Sequence, residues 1–307
     1  MPALTVQETA GDLADAAATP PYTTESFNPH TRVFLFAASA DVANFAQETI
    51  DQRNTWVARG VAPHQIACYH ARPTRKAYLK DAAQYNALRN DLAAFYPATL
   101  STLRRHLNAA AATPPAHVYL YFTGHGQRPG SARMSLAQRK HPQTRALFAR
   151  IPGLNQHRLT NNALDTGTAN LRMKLHAVSH GTPEHDVFLT PTALHDMLAV
   201  FPPSTRKTVV LQGCYTGGFS PALARVPNLT LLTAAQADRP SFGCAAGNRV
   251  TVFGQCFADA LAHQPGRPSN IDWSALHTKL IRTVEARETA MDIALPRRSH
   301  PTLTHFP

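Results

Sequence analysis

The sequence predicts an α/β protein in which a mainly parallel sheet lies between helices on both of its faces. Short apolar runs, such as residues 32–38 and 208–213, alternate with longer segments that carry apolar residues at helical spacing. Strands that are apolar throughout are typical of parallel sheets, and alternation of strands with helices favours parallel pairing. The composition agrees, because 44% hydrophobic residues against 16% charged residues allow a large core.

The first half of the chain predicts a strand–helix–strand unit, followed by a helix and a third strand. The unit has a strand at 32–38, a helix at 42–59 that Gly60 ends, and a strand at 66–69. Residues 70–96 are polar and helix-prone, and a helix with Pro97 in its first turn is predicted at 97–112. The third strand is predicted at 117–123, where the apolar run is strongly β-prone.

The second half predicts the rest of the sheet. Residues 171–178 and 187–189 are expected to form a hairpin, before a helix at 190–201 that Thr190 caps and Pro191 begins. The fourth and fifth strands are predicted at 208–213 and 229–233. Two helices are expected at 251–262 and 272–288, and the tail at 297–307 is a loop or a short edge strand.

The chain divides into an N-terminal arm and one domain. Residues 1–30 are rich in Ala, Thr, Pro and Asp without a helical or strand period, which predicts a flexible arm. Residues 31–307 are expected to form a single domain, interrupted by a basic insertion at 127–170. The insertion is either a solvated loop or a segment with a role as autoprocessing site, exosite or lid.

Charge and cysteine content exclude several classes of function. The formal net charge is +11, but the basic residues are scattered and no specific nucleic-acid site is expected. The four cysteines have neither zinc-site spacing nor the density of a disulfide scaffold, so no metal or other cofactor is predicted. No signal peptide and no membrane-spanning run is visible, so we expect a cytoplasmic protein with reduced thiols.

Two predicted strands end in residues that suit nucleophilic catalysis. The strand at 208–213 leads into Cys214, with Gly213 before it and two glycines shortly after, and the strand at 117–123 leads into His125 and Gly126. A cysteine attacks as its thiolate, and an imidazole activates the thiol or protonates the leaving amine. The pattern predicts a cysteine hydrolase whose catalytic pair is Cys214 and His125. The backbone N–H groups of Gly126 and Cys214 are the candidate oxyanion donors.

His180 is the alternative histidine. It lies 34 residues before the cysteine (214 − 180), whereas His125 lies 89 residues before it (214 − 125). Spacing does not choose between them, but the residues before His125 are much more β-prone than those before His180. His125 is therefore the predicted catalytic histidine.

Four motifs resemble the caspase–legumain group of cysteine peptidases, and within it the legumain-like (C13) family. They are Tyr-Phe-Thr-Gly-His-Gly at 121–126, Gln-Gly-Cys-Tyr-Thr-Gly-Gly at 212–218, Thr-Ala-Ala-Gln-Ala-Asp-Arg-Pro-Ser-Phe-Gly-Cys at 233–244, and Val-Phe-Gly-Gln at 252–255. The resemblance implies a three-layer sandwich around a mainly parallel six-stranded sheet. It also implies hydrolysis of peptide bonds through a thioester acyl-enzyme, with a peptide or protein as substrate.

The resemblance also implies which residues line the S1 pocket, where the substrate residue before the cleaved bond (P1) binds. Gln212 and Gln255 stand where the family has acidic residues, while Ser241 matches a family serine. The pocket is then neutral and polar, which favours a small polar P1 residue such as Asn or Asp. Arg239 could supply a cation for P1 Asp.

The same acyl-enzyme could pass its acyl group to an amine, which would make the protein a transpeptidase or ligase. A catalytically silent scaffold that binds partners through its basic face is the alternative from another class. The sequence leaves the oligomeric state, the physiological substrate and the activation trigger open.

Overall fold

The computed structural model describes residues 31–39, 42–71, 82–127, 172–174, 188–245, 247–264 and 267–307. The strands of this part of the chain are β1 (Thr31–Ala37), β2 (Ile66–His70), β3 (Tyr96–Pro97), β4 (His117–Thr123), β5 (Gly126–Gln127), β6 (Arg172–Lys174), β7 (Phe188–Leu189), β8 (Arg206–Gln212), β9 (Leu229–Thr233) and β10 (Thr302–Phe306). Its α-helices are α1 (Asn44–Ala58), α2 (Ala82–Leu92), α3 (Leu100–Ala111), α4 (Pro191–Leu198), α5 (Ser220–Leu223), α6 (Val252–Ala262) and α7 (Trp273–Ala290).

The main sheet has seven strands in the order β10-β9-β8-β4-β1-β2-β3. Six of them pair in parallel, and β10 joins β9 as an antiparallel edge strand. The prediction of a mainly parallel sheet flanked by helices is therefore confirmed, but the sheet has seven strands and not the six that the resemblance implies, because β10 adds an antiparallel strand at its edge. Of the two possibilities for the tail, the edge strand is the one that forms.

The register of the three central strands places their carboxyl ends side by side. Ala37 of β1 pairs with Thr123 of β4, and Thr123 pairs with Gln212 of β8. The segments that leave β4 and β8 therefore start from the same level of the sheet. This is the edge at which ligands bind in open α/β sheets.

Helices cover both faces of the sheet, because alternate strand residues point to opposite sides. Buried residues of α1, α2, α6 and α7 pack on one face, where they meet Tyr119 and Tyr121 of β4. Residues of α3, α4 and α5 pack on the other face, where they meet Leu120 and Phe122. The result is the three-layer arrangement that the sequence predicts.

Most helix bounds agree with the sequence pattern, and one start differs. Helix α4 has Thr190 as its N-cap and Pro191 at its first position, and the Thr190 hydroxyl accepts the N–H of Ala193. The predicted helix at 97–112 begins only at Leu100, because Pro97 pairs with His70 in the short strand β3. Thr99, and not the segment around Pro97, then caps α3.

A small antiparallel sheet lies beside the strand ends. Strand β6 pairs with β7, as the predicted hairpin requires, and also pairs with β5 directly after His125. The 1–30 arm, most of the 127–170 insertion and His180 lie outside the described residues. Within the described ranges, none of the helices combines the length and apolar character that crossing a bilayer requires.

Candidate functional site

The site is built at the aligned carboxyl ends of β4 and β8. His125 follows β4 by two residues and Cys214 follows β8 by two residues, counted from the paired Thr123 and Gln212. The two segments are in direct backbone contact. A Cβ on Gly126 would lie only 1.7 Å from the carbonyl oxygen of Cys214, so the structure brings all three predicted catalytic residues together.

A tight turn presents the Cys214 side chain. Tyr215, the next residue, has a φ of 63°, and a short 3-10 helix follows at Thr216–Phe219. The N–H of Tyr215 donates to the carbonyl oxygen of Arg239 at 2.8 Å, which ties the turn to the neighbouring loop. A strained turn at the end of a strand exposes a side chain that would otherwise lie in the core.

The thiol of Cys214 lies against the backbone of Ser241. Its Sγ accepts the N–H of Ser241 at 3.3 Å and donates to the carbonyl oxygen of the same residue at 3.4 Å. Burial raises the pKa of the Cys214 thiol, the N–H of Ser241 opposes that shift, and the nearby Cys244 adds to it. Burial thus disfavours the thiolate of Cys214, so a base beside the thiol would assist its attack on a substrate.

The His125 ring is half-buried and lies against the wholly buried ring of Phe45. The two rings meet edge to face, with centroids 5.1 Å apart and an angle of 89° between their planes. Phe45 belongs to α1, so this helix supports the imidazole from the side. Edge-to-face contact is a favoured geometry for aromatic rings and orients the histidine.

The three predicted S1 residues have different surroundings. Gln212 is 2% exposed, and its Oε1 accepts from the hydroxyl of Thr123 at 2.8 Å and from the N–H of Gly124 at 3.2 Å. Ser241 is 8% exposed and contacts the thiol through its backbone. Gln255 lies in the first turn of α6, where its Nε2 donates to Asp259 at 2.9 Å.

Sequence reasoning missed a polar cluster directly behind the site. Glu48 of α1 is buried, and its carboxyl group lies within hydrogen-bond distance of the hydroxyl groups of Tyr121, Thr123 and Thr251. One signal was present in the sequence. Phe45, Glu48, Gln52 and Trp56 recur at helical spacing, so the acid falls on the same face of α1 as two aromatic residues. A carboxyl group on a buried face needs partners, which is a warning that it has a specific role.

The described residues contain no group of three or more His, Cys, Asp or Glu side chains arranged to hold a metal ion. All four cysteines are free thiols, and Cys68 and Cys256 are buried away from the surface. Burial raises the pKa of Cys68 to about 12, so this thiol is unreactive at neutral pH. Cys214 is the half-buried cysteine that stands at the end of the β8 strand.

Comparison with known proteins confirms the resemblance that the motifs predict. Residues 155–279 match the model of the Peptidase C13 family. The match includes Cys214, Gln212, Ser241 and Gln255, and it begins after His125. No curated protein matches the chain.

Solved structures support the fold. One of them is the crystal structure of protein GSU0716 from Geobacter sulfurreducens, with a TM-score of 0.51 and 12% sequence identity. The alignment covers 91% of this chain and 94% of that one. At this identity the likeness concerns the fold alone.

Proposed function

We propose that this chain, which is similar to the Peptidase C13 family over residues 155–279, is a cysteine endopeptidase that uses Cys214 and His125. The observation that carries the proposal is the register of β4 and β8. It sets the histidine and cysteine segments at one level of the sheet and packs Gly126 on the backbone of Cys214. The family match, which contains the motifs around Cys214, Ser241 and Gln255, and the placement of the two segments both support the proposal.

The proposed reaction proceeds in two steps. His125 accepts the thiol proton as the sulfur of Cys214 attacks the substrate carbonyl, and a tetrahedral intermediate forms. The amine leaves with a proton from His125, and a thioester to Cys214 remains. Water, deprotonated by His125, then hydrolyses the thioester and releases the acid product. Neither step requires a metal ion or an organic cofactor.

The backbone N–H groups of Gly126 and Cys214 are the proposed oxyanion donors. Each lies next to a catalytic side chain, and the two residues touch through their backbones. Backbone donors held in this way need no rearrangement when charge develops on the substrate oxygen. The absence of a side chain at Gly126 is what allows this close approach.

Gln212, Ser241 and Gln255 are the proposed S1 residues, and the substrate is a peptide or protein with a small polar P1 residue, Asn or Asp. Gln212 supports this preference, because its Oε1 is used by Thr123 and Gly124 while its Nε2 has no hydrogen-bond partner among the described residues. The remaining amide donor suits a P1 side-chain oxygen.

A panel of fluorogenic peptides that differ at P1 tests the proposal. We expect the wild-type protein to cleave after Asn or Asp, and Cys214→Ala and His125→Ala to lose ~10³-fold or more in kcat. Cys68→Ala, which changes a buried cysteine outside the site, is the matched control and should keep activity. His180→Ala should also keep activity. If His180→Ala is inactive and His125→Ala is active, the assignment of the histidine is wrong.

Two further outcomes separate the alternatives. An added amine nucleophile that is incorporated into the product would show a transpeptidase or ligase that uses the same thioester. A wild-type protein that cleaves no peptide and takes up no thiol-reactive peptide probe at Cys214 would contradict the peptidase, and would leave the silent scaffold as the better reading. Mass spectrometry of the purified chain, with and without Cys214, decides whether the 127–170 insertion is autoprocessed.

A further inference from the structure

Glu48 is a buried acid that the proposed reaction does not use. Its side chain is 3% exposed and belongs to α1. Oε1 accepts from the N–H of Thr251 at 2.7 Å and from the hydroxyl of Thr251 at 2.6 Å. Oε2 lies 3.0 Å from the hydroxyl of Tyr121 and 2.5 Å from that of Thr123. One carboxyl group thus contacts two different segments around the candidate site.

Through these contacts Glu48 is connected to the three segments of the candidate site, which carry His125, Cys214 and Ser241. Thr123 is two residues before His125, and its hydroxyl also lies 2.8 Å from Oε1 of Gln212, two residues before Cys214. Thr251 caps α6 and ends the loop that begins near Ser241, the residue that contacts the thiol. The Glu48 side chain packs directly against Gly254 of α6, where a Cβ would lie 2.3 Å from its Oε1.

The hydrogen atoms around Thr123 do not balance if Glu48 is ionised. The Thr123 hydroxyl has one hydrogen, yet it lies within hydrogen-bond distance of Oε2 of Glu48 and of Oε1 of Gln212. The N–H of Gly124 is shared between the backbone carbonyl of Gln212 at 3.1 Å and the side-chain Oε1 at 3.2 Å, and an amide nitrogen in the place of Oε1 would face this N–H with its own hydrogens. An ionised Glu48 would leave either its own oxygen or the Gln212 oxygen facing a lone pair at short distance.

A proton on Oε2 of Glu48 removes this conflict. Oε2–H then donates to the Thr123 hydroxyl, which in turn donates to Gln212, and each group in the chain has a partner. Oε1 already receives two donors from Thr251, so it is the carbonyl oxygen of the acid. The O–O distance of 2.5 Å is at the short end of the range for O–H···O hydrogen bonds, so a hydrogen atom lies between the two oxygens.

The surroundings favour the neutral acid. None of the ion pairs in the described part of the chain involves Glu48. The titratable group in contact with it is the phenol of Tyr121 on β4, while Asp51, one turn further along α1, is paired with Arg249 at 2.7 Å. Burial raises the pKa of the Glu48 carboxyl, while its hydrogen bonds oppose that shift.

We propose that Glu48 is held as a neutral carboxylic acid, and that its proton positions Thr123 and Gln212, the residues from which the His125 and Cys214 segments depart. Glu48 is a positioning residue, because it acts on the dyad through Thr123, Gln212 and Thr251. Its effect on peptide hydrolysis rests on the proposed function, whereas its protonation state does not.

Infrared spectroscopy of the full-length protein with isotope-labelled glutamate tests the protonation directly. We expect the carbonyl stretch of a protonated carboxylic acid at pH 7, and we expect Glu48→Gln to remove it. A spectrum at pH 7 with no such band assignable to Glu48 would overturn the proposal. This readout is independent of any peptidase activity.

Kinetics of three variants test the positioning role. Glu48→Gln keeps an acceptor toward Thr251 and a donor toward Thr123, so kcat and the rate of Cys214 alkylation by iodoacetamide should stay within about threefold of wild type. Thr123→Val keeps the shape of the side chain but removes the hydroxyl that links Glu48 to Gln212. It should lower kcat about ten- to a hundredfold with little change in KM. Tyr119→Phe is the matched control, since it removes a similar buried contact between β4 and α1, to Gln52, away from the strand end.

Comparison of kcat among the three variants separates a positioning role of Glu48 from a general loss of stability. If Thr123→Val and Tyr119→Phe lower kcat equally, or if Glu48→Gln is as impaired as Thr123→Val, the positioning role is refuted. If the wild-type protein cleaves no peptide, the proposed function fails. The infrared band and the alkylation rates then still decide the role of Glu48.

Discussion

At the scale of single residues, the site depends on the close approach of two backbones. Gly126 lies against the carbonyl group of Cys214, and no side chain fits between them. The contact places the proposed oxyanion donors side by side. Phe45 and Ser241 complete the arrangement by contacting the imidazole and the thiol, respectively. The position before each of the two proposed catalytic residues is also a glycine, which lets the two segments cross at short distance.

The substitution Gly126→Ala tests this contact. Its Cβ would fall 1.7 Å from the Cys214 oxygen, so the two segments must separate. We expect kcat/KM for a cleaved peptide to fall about a hundredfold or more, as when an oxyanion donor is lost. Gly60→Ala is the control, because its φ of 80° strains the backbone in the turn after α1 without a clash at the site, and it should keep kcat/KM. Activity within tenfold of wild type in Gly126→Ala would refute the proposed donor.

At the scale of the elements, side-chain caps decide where several helices begin. Thr99, Thr190, Thr251 and Asp272 each accept a backbone N–H in the first turn of the helix that follows. Helix α4 has only eight residues, so its cap supplies a large share of its terminal hydrogen bonds. Its buried face carries Leu194 and Leu198, which pack beneath the strand that leads to Cys214.

Thr190→Ala should therefore lower the free energy of unfolding by about 1 kcal/mol, because the N–H of Ala193 loses its acceptor. Thr190→Ser keeps a hydroxyl at the same position and should stay within about 0.5 kcal/mol of wild type. Urea unfolding at constant pH measures both. Equal loss in the two variants would show that the methyl group, and not the cap, is what stabilises this helix start.

At the scale of the whole molecule, two buried histidines couple folding to pH. Nδ1 of His106 lies 2.6 Å from the hydroxyl of Tyr69, and Nε2 of His117 lies 2.9 Å from that of Thr208. Burial lowers the pKa of His106 to about 4 and that of His117 to about 3. The unfolded chain binds protons to both near pH 6.5 and the folded chain does not, so stability must fall as the pH drops below that value.

We expect the free energy of unfolding to decrease as the pH falls from about 6.5 toward 4, and His117→Asn to flatten this dependence. Glu48 acts in the opposite direction, because burial raises the pKa of its carboxyl, so the comparison between variants is what isolates the histidine. Denaturant unfolding at pH 7 and pH 5 provides the measurement, with His305→Gln on the exposed side of β10 as control. An unchanged slope in His117→Asn would contradict this explanation.

The sequence-based predictions agree best with the structure for elements whose bounds are set by neighbouring residues in the chain. The strands at His117–Thr123 and Leu229–Thr233 have the predicted bounds, because each is an apolar run between polar residues and turns. The start of α3 was predicted wrongly, because Pro97 also suits a short edge strand and only the neighbour β2 shows that it forms one. The role of Glu48 was missed, because its partners are 73 to 203 residues away in the chain.

Local sequence determines which residues are proposed for catalysis and most of the helices and strands that carry them. Cysteine and histidine after β-prone runs, with glycines beside them, specify reactive groups at strand ends, because such runs form strands in almost any sheet. Only the tertiary structure decides how those ends meet. The order and register of β1, β4 and β8 are long-range properties, and they set Thr123 beside Gln212 and thereby Gly126 against Cys214. Backbone hydrogen bonding alone does not choose which strands are neighbours in the sheet. The helices that pack on both faces select the strand order and register in which the apolar side chains are buried.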